Sequence, residues 1–164
     1  MKRLVIVEGP TDKVFIEELA RRLGLEARAL MTRGTPSPDA VSRLVEFELR
    51  RGKYSKVIVL MDQHNLPENE CTRRLEEILE AISHEAKRGV LVKRCLESWI
   101  LAAHCICSDP EGLENPVREL RELYRRRYLK SPEAVRSVAR EIDVSHAREK
   151  SPTFKQLLEA LQDP

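Results

Sequence analysis

Three acidic residues, Glu8, Asp12 and Asp62, stand beside two strongly apolar runs in a pattern that could bind a metal. Glu8 follows the run 4–7, and Asp62 follows the run 57–61. Continuous apolar runs of this length are typical of strands buried on both faces. If the two strands are neighbours in a parallel sheet, the three carboxylates meet at its carboxyl edge, where open α/β sheets hold ligands. Carboxylate oxygens favour Mg²⁺ or Mn²⁺, so the pattern predicts a divalent-metal site in which a second carboxylate moves a proton.

Each of these acids also has a simpler interpretation. Carboxylates at strand ends are often solvated loop residues, and an acid such as Asp12 near a helix start is a common cap. On that interpretation the acids face solvent and the protein is a structural subunit. The occurrence of three acids at the ends of two apolar strands favours the metal site.

The elements that would position the acids alternate between strands and helices. Beside the two apolar runs, short strands are predicted at 27–31 and 90–92, with helices between successive strands and Gly89 ending the third helix. This βαβαβαβ order predicts a Rossmann-like α/β fold, in which a parallel sheet of about four strands carries helices on both faces.

The rest of the chain is predicted to be helical. Trp99 is expected in the core, and three Ser-Pro pairs read as a cap followed by a first-turn proline, namely Ser37-Pro38, Ser131-Pro132 and Ser151-Pro152. We therefore expect an α/β core over residues 1–108, with residues 109–164 forming a helical extension packed on the same domain.

Composition limits the class of protein. The chain has 164 residues, of which 41% are hydrophobic and 34% charged, and its formal net charge is only +2. These values fit one helix-rich domain and give no overall excess of positive charge for binding nucleic acid. No apolar run approaches the ~20 residues of a membrane span, and no signal-peptide pattern is visible. We therefore expect a cytoplasmic protein that does not bind membranes and whose four cysteines are mostly reduced.

Two stretches beside the apolar runs have recognisable motifs, a glutamate and glycine followed by an aspartate and a strand that ends in an aspartate: Glu8-Gly9-Pro10-Thr11-Asp12-Lys13-Val14-Phe15 and Val59-Leu60-Met61-Asp62-Gln63-His64. They resemble the two motifs of Toprim domains, the second of which is a strand ending in Asp-x-Asp. Such domains occur in bacterial primases, topoisomerases, recombination proteins, a small ribosomal RNA maturase and OLD-type nucleases. The resemblance covers roughly residues 1–95. It implies that Glu8 acts as general acid or base at a phosphodiester, that Asp12 supports this catalytic site, and that Asp62 coordinates Mg²⁺.

Two later stretches look like the small uncharacterised Toprim relatives of OLD-type nucleases, in which a Glu-x-Trp follows the fourth strand. That resemblance implies Glu97 as a further acidic metal ligand. The other interpretation of Glu97 is a charge favoured by the dipole at a helix start. The stretches are Cys95-Leu96-Glu97-Ser98-Trp99-Ile100-Leu101-Ala102 and Ala147-Arg148-Glu149-Lys150-Ser151-Pro152-Thr153-Phe154.

The second motif departs from the Toprim pattern at its last position. His64 stands where the second aspartate of Asp-x-Asp is expected. Imidazole is a poor ligand for Mg²⁺ but an acceptable one for Mn²⁺, Zn²⁺ or Fe²⁺. His64 is therefore a candidate metal ligand. It is equally a candidate hydrogen-bond donor to a phosphate group, or a proton carrier near neutral pH. A third interpretation is a decayed site that binds without cutting.

Basic residues that could contact nucleic acid fall into two groups. Lys13 and Arg33 lie near the predicted rim of the sheet. The second group belongs to a basic run with interleaved tyrosines, which could follow a phosphate backbone while a tyrosine stacks on a base. The same run could be a solvated basic face whose tyrosines pack inward. The candidates in this run are Arg125, Arg126 and Arg127.

These features predict a Toprim-type nuclease that hydrolyses phosphodiesters in DNA or RNA with Mg²⁺ or Mn²⁺, in DNA repair or defence. The alternative is a catalytically inactive Toprim-like module that binds nucleic acid or an ATPase partner. Either could be a homodimer. No Gly-rich phosphate loop or strand-passage module is visible, which argues against an ATPase and a topoisomerase. His104-Cys105-Ile106-Cys107 lacks the paired spacing of a structural zinc site, so core cysteines are favoured.

Overall fold

Four parallel strands form one sheet in the computed structural model, which describes residues 1–104, 108–125 and 128–164. The strands are β1 (Arg3–Val7), β2 (Ala27–Met31), β3 (Lys56–Asp62) and β4 (Lys87–Val92). The strand order is β2-β1-β3-β4, so β1 and β3 are central neighbours. This confirms the predicted α/β fold with a parallel sheet, flanking helices and a helical C-terminal region.

Helices cover both faces of the sheet because successive side chains of a strand point to opposite sides. The helices are α1 (Pro10–Arg22), α2 (Pro38–Arg51), α3 (Glu68–Ala81), α4 (Glu97–Ala102), α5 (Pro116–Leu123), α6 (Pro132–Glu141), α7 (Val144–Lys150) and α8 (Pro152–Gln162), with a 3₁₀ turn at Pro110–Gly112. Leu4 and Ile6 of β1 pack with α2 and α3, whereas Val5 and Val7 pack with α1 and the C-terminal helices. None of these described helices has the length and apolarity needed to cross a membrane.

Trp99 connects the α/β part of the chain to its helical end. Its ring centroid lies 6.1 Å from that of Phe15 in α1 and 5.7 Å from that of Phe154 in α8. The indole Nε1 donates a hydrogen bond of 2.8 Å to Thr153 Oγ1. Trp99 is 1% exposed, which confirms the prediction that it belongs to the core.

Ser-Pro pairs correctly predicted the starts of three helices, α2, α6 and α8. The side-chain oxygens of Ser37, Ser131 and Ser151 each accept a hydrogen bond from a backbone N–H of the following helix, and each serine is followed by proline in the first turn. The N-cap therefore satisfies one of the unpaired donors of each helix. The pattern of serine, proline and apolar residues was enough to find these ends.

Gly89 was wrongly predicted to end the third helix. That helix, α3, ends at Ala81, and Gly89 lies inside strand β4. A Cβ atom at this position would lie 2.8 Å from the side chain of Leu75, which α3 places against the strand. The glycine therefore marks the close approach of a helix to a strand and not a helix end.

We predict that Gly89→Ala destabilises the protein by about 1–3 kcal/mol, because the added methyl group overpacks the contact with Leu75. The measurement is the free energy of unfolding in urea. Gly52→Ala is the matched control, since its Cβ would make only ordinary contact, at 3.4 Å from the Tyr54 ring. Equal stability of Gly89→Ala and the parent protein would contradict the packing described for α3 and β4.

Candidate metal centre

The pairing of β1 with β3 brings together two of the three predicted acids, Glu8 and Asp62. The register places Ile6 opposite Val59, Glu8 directly follows β1, and Asp62 is the last residue of β3. Glu8, Asp62 and His64 each offer a ligand atom, and these three atoms lie within 4.8 Å of one another. We call these three residues the rim cluster.

The spacing within the rim cluster suits a divalent metal ion. His64 Nε2 lies 3.1 Å from Glu8 Oε2 and 4.0 Å from Asp62 Oδ2. Two ligands in adjacent positions of an octahedron with bonds of about 2.1 Å are about 3 Å apart, and opposite ligands are about 4.2 Å apart. The two carboxylates and the imidazole therefore fit one ion with only small adjustments of their side chains.

The turn that carries His64 has an unusual backbone. His64 has φ 49° and Arg94, in the turn after β4, has φ 62°; both lie in the left-handed region that non-glycine residues rarely occupy. The His64 N–H donates to the Arg94 carbonyl at 3.0 Å, and the Arg94 guanidinium donates to the His64 carbonyl at 3.2 Å. These reciprocal bonds hold the strained turn in place and fix the side at which the imidazole meets Glu8.

Asp62 is the most buried member of the rim cluster, with only 8% of the residue exposed. Within the part of the chain that the structure describes, no group donates a hydrogen bond to its carboxylate. Burial raises the pKa of Asp62 well above its usual range, and the negative charges of Asp12 and Glu8 raise it further. A divalent cation would compensate both effects, because it supplies the positive charge that a buried carboxylate needs.

Asp12 lies beside the rim cluster and not within it. Its Oδ2 accepts a 3.0 Å hydrogen bond from the Gly9 N–H. Asp12 therefore lies within the first turn of α1, and Gly9 is the N-cap residue. Burial raises its pKa from the ordinary 3.8 to about 6, against the opposing effects of the Gly9 bond and Lys130. A cavity of about 10 Å³, which is the scale of one water molecule, lies between Asp12, Glu8, Asp62 and the Trp99 side chain.

Glu97 also lies outside the rim cluster. It is fully buried at the start of α4, and its Oε1 accepts a hydrogen bond of 3.3 Å from the Tyr128 hydroxyl. The same oxygen lies 3.4 Å from the Lys130 ammonium. Glu97, which the resemblance implied as a metal ligand, thus forms an ion pair with Lys130. Tyr128 and Lys130 belong to the basic run with interleaved tyrosines, but their contact with Glu97 was not predicted. That contact depends on the return of the chain to α4 and not on any local spacing.

The family model of a domain of unknown function, DUF4276, matches residues 7–162. The chain belongs to the DUF4276 family. Searches of the curated proteins and of the solved structures gave no match. The matched range includes every residue of the rim cluster, together with Asp12, Glu97 and Lys130.

An open cleft of about 370 Å³ gives access to the acids of this DUF4276 domain. It is lined by the turn 8–12, by Gly34 and by Lys130. Lys13 follows that turn in α1, and Arg33, with φ 58°, precedes Gly34. Two of the predicted nucleic-acid contacts, Lys13 and Arg33, are therefore neighbours in sequence of residues that line the cleft.

The basic run near residue 125 is only partly described. Arg125 is exposed just after α5, whereas Arg126 and Arg127 lie outside the described residues. Tyr128 is 2% exposed, so this tyrosine packs inward and does not present its ring to a base. Of the cysteines considered for zinc, Cys95 is buried with a free thiol, and Cys105 and Cys107 lie outside the described residues.

We predict that Asp12→Asn stabilises the metal-free DUF4276 domain at pH 8 by on the order of 2 kcal/mol. Because the folded pKa is about 6 and the ordinary value 3.8, the folded protein holds this proton more tightly than the unfolded chain. The stabilisation by the protonated acid is complete below pH 3.8 and is lost as the pH rises through 6. Asparagine keeps an acceptor for Gly9 without the buried charge.

The measurement is urea unfolding in EDTA at several pH values between 4 and 8. Asp39→Asn is the control, since Asp39 is an exposed acid in the first turn of α2. The stability gain of Asp12→Asn should grow with pH across this range, whereas that of the control should stay near zero. A gain that is independent of pH would contradict the burial of a charged Asp12.

Proposed function

We propose that this protein is a divalent-metal-dependent phosphodiesterase of the Toprim type that acts on nucleic acid. The observation that carries the proposal is the convergence of Glu8, Asp62 and His64 at the carboxyl edge of β1 and β3. The two motifs that resemble Toprim domains supply these same three residues. Fold alone would not support an activity, but a ligand set at this edge of a parallel sheet does.

Glu8, Asp62 and His64 hold the metal in this proposal. Two carboxylates with one imidazole favour Mn²⁺ over Mg²⁺, because Mg²⁺ prefers oxygen ligands and dehydrates reluctantly. A metal bound there would polarise a phosphoryl oxygen and lower the pKa of a coordinated water molecule. The buried setting of Asp62 strengthens its attraction for the ion, since little water screens it.

We assign the role of general base to Asp12. The sequence resemblance gave this role to Glu8, but Glu8 belongs to the rim cluster and contacts His64, whereas Asp12 stands next to it and is not needed as a ligand. Asp12 accepts a proton from the attacking water as the water oxygen bonds to phosphorus. The P–O ester bond breaks, and the departing oxygen takes a proton from solvent, giving a phosphate monoester and a hydroxyl. A pKa of about 6 suits this role near neutral pH.

Nucleic acid is the proposed substrate because the cleft combines acids with nearby cations. Lys130 lines it, and Lys13 and Arg33 are next to residues that line it. Such cations attract the phosphate backbone without reading its sequence. We place the protein in the cytoplasm, with DNA or RNA as substrate, an ATPase as its proposed partner protein and DNA repair or defence as its setting.

The second candidate is a binding module that grips nucleic acid or an ATPase partner without cutting. His64, in the place of the expected aspartate, favours it. In that case His64 would donate a hydrogen bond to a phosphate group of the nucleic acid and would not bind a metal.

We predict cleavage of DNA or RNA that is faster with Mn²⁺ than with Mg²⁺ and that stops in EDTA. Asp62→Asn should reduce the rate by at least about 100-fold, because the loss of ~3 kcal/mol of transition-state stabilisation corresponds to that factor. His64→Asp should shift the preference toward Mg²⁺, since it restores an oxygen ligand. The measurement is gel-resolved cleavage of labelled oligonucleotides, with the exposed Asp39→Asn as control.

Two results would reject metal-dependent cleavage at the rim cluster. Cleavage that survives EDTA or Asp62→Asn would place the chemistry elsewhere. Binding of oligonucleotides without cleavage by the parent protein and by His64→Asp would favour the binding module.

A further inference from the structure

Glu97 is a buried acid that the rim cluster does not use. The residue is 0% exposed, and its Oε1 meets the Tyr128 hydroxyl at 3.3 Å and the Lys130 ammonium at 3.4 Å. Its Oε2 is buried and has no hydrogen-bond partner among residues 1–104, 108–125 and 128–164. A carboxylate buried to this degree is tolerated when a cation pairs with it. Lys130 is therefore the counter-ion of Glu97.

Lys130 also reaches the cleft. Its side chain is 44% exposed although it contacts a fully buried acid, and it lines the cleft together with Glu8 and Asp12. Its positive charge opposes the rise in the pKa of both Asp12 and Asp62. The Lys130 side chain therefore contacts the buried Glu97 and also lines the cleft that a substrate phosphate would enter.

We propose that Lys130 takes the place of a second metal ion, so that each chain binds one divalent ion at the rim cluster. This inference rests on the proposed function. In two-metal phosphodiesterases the ions lie about 3.5–4 Å apart and stabilise both the attacking and the leaving oxygen. Here Asp12 and Glu97, the acids available for a second ion, flank an ammonium group that the chain itself supplies.

The ammonium can do part of the work of a second ion. It has three N–H donors and one positive charge, so it can bind a non-bridging phosphate oxygen and offset the negative charge that develops there. Removal of a proton from the attacking water remains the role of Asp12, which lies beside the rim cluster. Glu97 and Tyr128 act through Lys130, and we regard both as positioning residues.

The test is to count the Mn²⁺ ions bound per chain, from the electron paramagnetic resonance signal of free Mn²⁺ during a titration. We expect one ion for the parent protein and two for Lys130→Met, because loss of the ammonium frees Asp12 and Glu97 to bind a second ion. Lys53→Met is the control, since Lys53 is exposed in the turn after α2, and this variant should bind one ion.

Other numbers of bound Mn²⁺ ions would contradict either this inference or the metal site itself. Two ions on the parent protein, or one ion on a folded Lys130→Met, would overturn the inference and leave the metal centre intact. No ion on the parent protein would reject the rim cluster as a metal site, and with it the proposed function.

Glu97→Gln provides a second test if Lys130→Met does not fold. Glutamine keeps the shape and an acceptor for Tyr128, so melting followed by circular dichroism should show a folded protein. If Glu97 serves Lys130, the Kd for Mn²⁺ stays within threefold and kcat falls. A metal ligand or its direct support would instead raise that Kd by about 10–100-fold, which would overturn the inference.

Discussion

The parallel pairing of β1 with β3 is the constraint on which the rest of the molecule depends. It joins two strands that are distant in sequence at the centre of the sheet and makes their carboxyl ends neighbours. Because each strand is buried on both faces, the acids that follow them are held partly out of water. The same pairing that completes the core therefore forces Glu8 and Asp62 into one site.

That arrangement works against stability in the absence of a cation. Burial raises the pKa of both Asp12 and Asp62, and the charge of Asp12 raises that of Asp62 further. Glu97 adds another buried negative charge. The chain offsets part of this repulsion through Lys130 and through the Gly9 N–H. Residues that conflict with folding in this way are characteristic of functional sites, where binding repays the cost.

Local patterns in the sequence were sufficient for the strands, for the Ser-Pro caps and for placing Glu8 and Asp62 at strand ends. His64 was singled out only by the resemblance to Toprim domains. Apolar runs revealed β1 and β3, and Ser-Pro pairs revealed the starts of α2, α6 and α8. The prediction that Gly89 ends a helix was wrong. In sequence, a glycine that lets Leu75 approach a strand cannot be distinguished from a glycine that ends a helix. Whether a glycine stops an element or makes room for another one depends on packing that a local pattern does not contain.

The pairing of Glu97 with Lys130 illustrates the same limit in the site. Lys130 belongs to a run with many basic residues, and nothing in that run singles it out from its neighbours. Its position follows from the path of the chain between α5 and α6, which brings the segment carrying Tyr128 back to α4. Similarly, Arg94 acts on His64 only because the turns after β3 and β4 are adjacent.

The proposed function requires that the rim cluster bind a divalent cation. The most direct measurement is a crystal structure of the protein soaked in Mn²⁺, with anomalous scattering used to locate the metal. We expect one peak within about 2.3 Å of the carboxylate oxygens of Glu8 and Asp62 and of His64 Nε2. A fully soaked crystal without a peak between these three side chains, or with its peak elsewhere on the protein, would contradict the central claim.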